Sequence, residues 1–215
     1  RRWSAAQAFL APARQRPNLA VRTGARVLRI ATRDRRATGV ETTDGTLDLA
    51  AGGEVLLSAG AVNSPQILML SGIGPATELA AHGIGIVHDL PEVGRNLQDH
   101  LDVTILARAN SSLPIGVAPA ILPRGAGALL AYLRRGEGFL TSNVAEAGGF
   151  ARSDPQLDRP NLQFHFLPVL LRDHGRRTTF GYGFTLHVCD LFPKSRGRIG
   201  LAGADPNADP PIEAG

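Results

Sequence analysis

One stretch of the sequence constrains the fold more than any other, because an apolar segment, a turn of small residues and a helix start follow directly on one another. Residues 54–58 are apolar and predict a buried strand. It runs into Ala59 and Gly60, whose small side chains allow a backbone or a ligand to approach closely. Ser64 suits the N-cap of a helix, with Pro65 at its first position. A helix N-terminus after such a turn favours phosphate, because free N–H groups and positive partial charge lie there.

The rest of the first hundred residues predicts short helices and a meander of strands. Asp44 and Gly45 are a strong hairpin signal, because glycine tolerates the positive φ that such turns need. Apolar side chains that recur at helical spacing indicate the helices, and apolar side chains that alternate along the chain indicate the strands. The expected elements are helices over 3–14, 64–72 and 75–82 and strands over 19–30, 40–43 and 46–49.

After about residue 100 the pattern changes to that of an antiparallel sheet with helices on one side. Residues 110–128 are rich in Pro, Gly and Ala, which predicts a loop that leads into a helix over 126–135. The expected strands cover residues 102–109, 146–151, 162–170, 184–189 and 199–201. The predicted fold is therefore a mixed α/β and α+β arrangement, with a domain boundary at residues 99–101.

Composition excludes several classes of protein. The chain has 215 residues, of which 43% are hydrophobic, enough for a sizeable core. The net charge is +4, but the arginines are scattered and no aromatic residues interleave with them, so we expect no nucleic acid partner.

No apolar run reaches the ~18–20 residues of a membrane span. Cys189 is the only cysteine and is expected to be a small buried residue. No Gly-x-Ser-x-Gly elbow of a hydrolase occurs.

A long motif now adds a family resemblance. The stretch GAVNSPQILMLSGIG over residues 60–74 is similar to the second signature of the glucose–methanol–choline (GMC) oxidoreductase family. Residues 16–27, 93–100, 146–150, 161–168 and 195–197 resemble further segments of its choline and alcohol dehydrogenase branch. The resemblance covers essentially the whole chain.

The resemblance implies an oxidoreductase that uses FAD and acts on the CH–OH group of a primary alcohol, such as choline or an aliphatic alcohol. Hydride passes from the alcohol carbon to flavin N5, and FAD carries this chemistry. Residues 1–100 would be the later part of a Rossmann-like FAD-binding domain, and residues 101–215 an incomplete substrate-binding domain. The family's Gly-x-Gly-x-x-Gly fingerprint and its C-terminal catalytic histidine have no counterpart here. Because the first residue is Arg and not Met, we expect an internal fragment. Because it lacks the fingerprint and the catalytic histidine, we expect it to be inactive by itself and to bind FAD weakly or not at all.

The resemblance also supplies the candidate site residues, each of which has a simpler structural interpretation. The cofactor candidates could equally be strand, packing, helix-cap or hinge residues, and they are Val27, Ser58, Ala59, Gly60, Ser64 and Asn96. Glu146 aligns with a glutamate that faces the trimethylammonium group in choline-oxidising relatives, although a buried structural glutamate is the alternative. His165 and His187 lie in apolar strands and are either core residues or line the substrate cavity; we select His165. Asn96, Asp99 and His100 have no partners spaced for a metal site, and none is expected.

Three alternatives stay open at this point. The chain could be a truncated fragment without catalysis, and the family also contains oxidases and lyases. The electron acceptor, the exact alcohol and any covalent attachment of the flavin are not determined. We expect a cytoplasmic protein, with association at the periphery of the inner membrane left open because some relatives deliver electrons to membrane quinones.

Overall fold

The chain folds into two units. The computed structural model describes residues 3–111, 116, 121–177 and 179–215. Unit 1 comprises Arg1–Leu97 and Arg196–Gly215, and unit 2 comprises Gln98–Ser195. The chain therefore crosses between the units close to residue 98 and again at residue 196. The functional roles assigned to the two predicted domains stay predictions.

Unit 1 contains the predicted antiparallel meander. Its strands are β1 (Val27–Arg33), β2 (Arg36–Thr42) and β3 (Gly45–Asp48), paired in the order β1-β2-β3. The first turn is formed by Asp34 and Arg35, both left-handed with φ of 52° and 62°, as a two-residue hairpin requires.

Two details of the meander differ from the prediction. The first strand begins at Val27 and not at residue 19. In the second turn Thr42 pairs with Gly45, so the two turn residues are Thr43 and Asp44. The Thr42 hydroxyl explains this shift, because it donates to the Gly45 carbonyl and accepts from the Asp44 N–H.

The helices of unit 1 are short. A π-helical turn over Ala6–Leu10 continues into α1 (Ala11–Ala13), and α2 covers Gly60–Leu70 and α3 covers Ala76–Ala81. Both α1 and α3 lie within predicted helices.

The predicted start of α2 at Ser64 is wrong. The helix begins at Gly60, whose φ of +88° turns the chain into it, so Ser64 and Pro65 lie inside. The Ser64 hydroxyl instead accepts the N–H of Ala59, 3.0 Å away, and so satisfies the residue before the helix. Pro65 lies in the second turn, where its missing N–H leaves the carbonyl of Ala61 without a helical hydrogen bond and its ring crowds that carbonyl, so it weakens the helix there.

Residues 54–58 also differ from the prediction, since they form no strand. A strand needs a neighbour for its N–H and C=O groups, and none of the strands in the described ranges pairs with this segment. Leu56 is consequently 85% exposed, while Val55 and Leu57 are half-buried. The sequence indicates an apolar segment, but no strand among the described residues forms hydrogen bonds with it.

The core of unit 1 lies where α2, α3 and the returning C-terminal segment meet. Met69 and Leu79 are fully buried there beside Leu201. Two small sheets border this core: β4 (Ile73–Gly74) pairs in parallel with β5 (His88–Asp89), and β11 (Gly197–Ile199) lies between β6 (Arg95–Leu97) and β12 (Ile212–Glu213).

Glycine is required at one border of that core. Gly94 has a φ of +81°, and a Cβ at this position would collide with the carbonyl oxygen of Ile199. The close backbone approach lets the Ile199 N–H donate to the Gly94 carbonyl at 2.7 Å.

Unit 2 contains an antiparallel sheet, as predicted, but this sheet has four strands, because the fifth predicted strand, residues 199–201, overlaps β11 of unit 1. Its strands are β7 (Leu101–Arg108), β8 (Ala147–Ala151), β9 (Leu162–Leu167) and β10 (Gly183–Asp190), in the order β7-β10-β9-β8. Helix α4 (Ile121–Arg135) and 3-10 turns at Phe139–Thr141 and Asp173–Gly175 complete it. Of the predicted loop, residues 112–115 and 117–120 lie outside the described residues, and the helix begins at Ile121, earlier than the predicted start at residue 126. The mixed α+β class is thus confirmed. Within the described ranges, every helix is too short or too polar to cross a membrane.

One buried hydroxyl joins β1 to the end of α2. The Ser71 side chain accepts the N–H of Ile30 at 2.8 Å and donates to the carbonyl of Ile67 at 2.5 Å. Ser71 is 7% exposed, so water does not replace these bonds when the hydroxyl is removed.

We therefore expect Ser71→Ala to lower the free energy of unfolding by about 1–3 kcal/mol, because the Ile30 N–H loses its partner in a buried place. Urea unfolding followed by circular dichroism measures the change. Ser153→Ala is the matched control, since its hydroxyl also accepts one hydrogen bond but is exposed. Equal losses for both variants would contradict the role given to burial.

Candidate functional site

A cavity in unit 1 brings together three of the predicted cofactor residues. Val27, Ser58 and Ala59 line a space of about 430 Å³. Small-molecule sites in proteins typically measure ~300–1,000 Å³, so the cavity suits part of a dinucleotide rather than the whole. The apolar part of the wall comes from Leu56, Leu57, Ile67 and Leu70.

The turn before α2 forms one edge of this cavity. Ala59 occupies the N-cap position and has no side-chain oxygen, so its side chain caps none of the first N–H groups of the helix. Gly60 follows with its left-handed φ, a conformation that other residues rarely adopt. The α2 N-terminus therefore presents N–H groups beside small side chains, which is the setting that favours a phosphate or another anion.

Pro206 also lines the cavity, and no prediction from the sequence identified the contacts that hold the segment around it in place. The Arg26 guanidinium donates to the carbonyl of Pro206 at 2.5 Å and to Oδ1 of Asn207 at 3.1 Å. Gln66, 6% exposed, donates from Nε2 to the Ala208 carbonyl at 2.9 Å. Arg26, Asn63, Gln66 and Pro206 all line the cavity. A glutamine within an apolar helix face was the one signal that could have indicated this contact.

The remaining cofactor candidates lie in different places. The Ser64 hydroxyl accepts a hydrogen bond from the N–H of Ala59, and Ala59 lines the cavity. Asn96 is exposed on β6 with a left-handed φ of 61°, and it is not among the described residues that line the cavity.

The substrate candidates lie in unit 2. Glu146 is exposed and directly precedes β8. On β9, His165 is half-buried and lies opposite Gly148 of β8 and His187 of β10. Directly opposed residues of an antiparallel sheet point to the same face, with Cβ atoms about 4.5–5.5 Å apart. The two strand histidines are therefore neighbours on one face.

A hydrogen-bonded cluster on that face was not anticipated. Nδ1 of His187 lies 2.6 Å from Oδ2 of Asp102, and the Cys189 thiol donates to Oδ1 of the same carboxylate at 3.5 Å. The side chains of His187 and Asp102 are 10% and 22% exposed. Asp102 is the first residue of a predicted strand. Its partners lie more than eighty positions away in the sequence, so no local pattern reveals them.

The environment of Cys189 makes its thiol a weaker acid than an ordinary cysteine thiol. Burial, then the charge of Asp102 and the hydrogen bond to Asp102, raise the pKa of the thiol. The residue is 8% exposed, which confirms the predicted small buried cysteine. A buried thiol with a raised pKa is a poor nucleophile, because little of it is present as thiolate. In the described part of the chain, no three His, Cys, Asp or Glu side chains are arranged to hold a metal ion.

Comparison with known proteins shows which proteins this chain is similar to. The GMC oxidoreductase profile matches residues 1–102. Residues 1–102 belong to the GMC oxidoreductase family. The alcohol dehydrogenase [acceptor] of Pseudomonas putida is 57% identical over 99% of the chain, and the oxygen-dependent choline dehydrogenase of Ectopseudomonas mendocina is 43% identical over 99%. The family predicted from the signature is therefore confirmed.

Solved GMC-like structures agree with the fold. A formate oxidase of Aspergillus oryzae RIB40, studied for FAD modification, has a TM-score of 0.81 at 27% identity and covers 93% of the chain. Pyridoxine 4-oxidase of Mesorbium loti has a TM-score of 0.75 at 28% identity over the whole chain. The chain spans 39% and 38% of the two dehydrogenases and 40% and 38% of the two oxidases.

The pKa of Cys189 leads to a prediction about its reactivity. Because the thiol is buried and its pKa is raised, we expect alkylation by iodoacetamide at pH 8 to be at least about tenfold slower than that of free cysteine. Asp102→Asn should accelerate the reaction only in part, since it removes the charge but leaves the burial. Mass spectrometry of quenched samples measures the rate.

Asp190→Asn is the matched control, because Asp190 is adjacent to Cys189 but bonds the N–H of Phe192 instead. If Asp190→Asn changed the alkylation rate as much as Asp102→Asn does, the specific role of Asp102 would be refuted.

Proposed function

We propose that this chain supplies part of the FAD site and part of the substrate side of an enzyme that oxidises a primary alcohol. The observation that carries the proposal is the unit 1 cavity, which joins Val27 to the Ser58–Ala59 turn at the start of α2. Relatives and solved neighbours named as FAD enzymes or as alcohol and choline dehydrogenases support it.

The residues present fit a flavin dinucleotide at this cavity. Its apolar walls suit a flat aromatic base, and Asn63 and Gln66 provide polar atoms at its edge. Ser58, Ala59 and Gly60 would allow the backbone to approach the ligand, and the α2 N-terminus would face a phosphate. Ser64 would act indirectly, by fixing the Ala59 N–H. When bound, FAD supplies the acceptor for the hydride of the alcohol carbon.

On the substrate side we propose roles for Glu146 and His165. Glu146 is exposed and carries a negative charge that would attract a cationic head group such as a trimethylammonium. His165 lies on the face that also holds Asp102 and His187, and would orient a polar group of the substrate there.

Of the activities in this family, we propose a dehydrogenase rather than an oxidase for the enzyme to which this chain contributes. The relative at 57% identity is named an alcohol dehydrogenase [acceptor], whereas the named oxidases among the solved structures are 27% and 28% identical. The FAD contact of Asn96 and the cytoplasmic location stay predictions from the sequence.

Filling the cavity tests the cofactor site. In the protein expressed from the complete reading frame, Ala59→Leu should weaken FAD binding at least about tenfold, because the larger side chain occupies the cavity wall. Flavin fluorescence and visible absorbance measure binding, and anaerobic addition of choline or 1-octanol measures bleaching of the flavin bands. A parent protein that binds no FAD would refute the proposed function.

Ala80→Leu is the control, since Ala80 is exposed on α3 away from the cavity. Its FAD affinity should equal that of the parent. Matching melting temperatures for the two variants would show that Ala59→Leu acts at the cavity and not through loss of folding.

Charge removal tests the role of Glu146. Glu146→Gln should raise the KM for choline at least about threefold more than the KM for the neutral isostere 3,3-dimethylbutan-1-ol, because only choline has a positive charge. Steady-state kinetics with both alcohols give the comparison. Glu137→Gln, an exposed acid of the same unit, should change neither KM. Equal effects of Glu146→Gln on both alcohols would remove Glu146 from the substrate site.

A further inference from the structure

A short loop of the C-terminal segment, residues 205–208, is bound by two side chains that line the unit 1 cavity. Arg26 directly precedes β1, and Gln66 lies in α2. The Arg26 guanidinium donates to a carbonyl and to a side-chain oxygen of the loop, at 2.5 Å and 3.1 Å, and Gln66 donates to another of its carbonyls at 2.9 Å. We call residues 205–208 the clasp loop, because it joins the two elements that carry these side chains.

The clasp loop is held in one shape by its own hydrogen bonds. Oδ1 of Asp205 accepts from the backbone N–H of Asn207 at 2.9 Å and from its Nδ2 at 3.1 Å. The N–H of Ala208 donates to the Asp205 carbonyl at 3.1 Å. Because Asp205 holds the amide nitrogen of Asn207, the amide oxygen is left for Arg26. The acceptors of the loop are therefore positioned in advance, which lowers the entropy cost of keeping it attached.

Pro206 is the residue of the clasp loop that lines the cavity. It is half-buried, and its carbonyl accepts the shorter of the two bonds from Arg26. Its ring fixes the backbone φ and it has no N–H, so it adds a rigid apolar group to the wall. A ligand in the cavity would contact this wall, and the wall can move away only when the clasp loop is released.

The two donors that hold the clasp loop differ in how strongly water competes with them. Gln66 is 6% exposed, so water does not replace its bond to the Ala208 carbonyl. Arg26 is exposed, but its planar guanidinium donates two bonds and loses little freedom for each of them. Release of the clasp loop requires the loss of all three hydrogen bonds, and we expect it to be infrequent.

We propose that Arg26 and Gln66 are positioning residues that keep the clasp loop against bound FAD and so slow the release of the cofactor. The inference rests on the proposed function, since it needs FAD in the unit 1 cavity. Neither side chain is required to touch the alcohol or the reacting flavin atoms for this role. The effect is on the dissociation rate, because a ligand behind a wall that seldom opens leaves seldom.

The rate of FAD release from the protein of the complete reading frame tests the proposal. The double variant Arg26→Gln with Gln66→Met should release FAD at least about tenfold faster than the parent, because the clasp loop loses its hydrogen bonds to β1 and α2. Arg26→Lys alone should give an intermediate rate, since lysine can still donate to one of the two acceptors. Timed dilution followed by separation of free from protein-bound flavin measures the rate.

Hydrogen exchange of the clasp loop gives a second readout that depends neither on the reaction nor on release of the flavin. In the parent, FAD should slow exchange at the N–H groups of Asn207 and Ala208 at least about threefold relative to the FAD-free protein. In the double variant this protection should be lost, because the loop no longer stays against the cofactor.

Arg198→Gln is the matched control, because Arg198 is also an exposed arginine of unit 1 that donates two hydrogen bonds, to Glu213 at 2.9 Å and 2.8 Å. It is not among the described residues that line the cavity, so its variant should release FAD at the parental rate.

Two results would overturn the proposal while the parent still binds FAD. One is a double variant with a lower melting temperature but the parental rate of FAD release, which would give Arg26 and Gln66 a role in folding alone. The other is an Arg198→Gln variant that accelerates release as much as the double variant does. A parent protein that binds no FAD would instead refute the proposed function, and this inference with it.

Discussion

The hydrogen bond between the Ser71 hydroxyl and the Ile30 N–H is the contact on which the arrangement of unit 1 depends. It fixes β1 against the last turn of α2, and the same hydroxyl returns to the Ile67 carbonyl within the helix. Since Met69 precedes it by two residues, the position of α2 also decides where the buried Met69 meets Leu79 and Leu201. Val27 of β1 and Ile67 and Leu70 of α2 line the cavity, so this attachment holds together the two elements that contribute to its wall.

Polar contacts from distant segments then complete the site. Arg26 and Gln66 each reach the loop at residues 206–208, and Glu78 accepts the N–H of Leu201 at 2.9 Å. The C-terminal segment is thereby attached to the first hundred residues, which explains why it groups with unit 1. In unit 2 the same principle operates through Asp102, whose carboxylate links β7 to two residues of β10.

The two units differ in the kind of chemistry that they can support. Unit 1 offers an apolar cavity at a helix N-terminus, which suits a flat base and a phosphate. Unit 2 offers a sheet face with histidines and a carboxylate. The proposed cofactor site and the proposed substrate residues therefore belong to separate units of the chain.

The sequence by itself determined the family, the mixed fold class and the positions of most strands, because alternation and the motif at residues 60–74 are local properties of the chain. It also placed Val27, Ser58 and Ala59 as one group of candidates. Tertiary structure decided the start of α2 at Gly60, the unpaired state of residues 54–58 and the partners of Arg26, Gln66 and Asp102. These features depend on contacts between residues far apart in the chain, and a pattern of neighbouring side chains contains no information about which distant groups satisfy them.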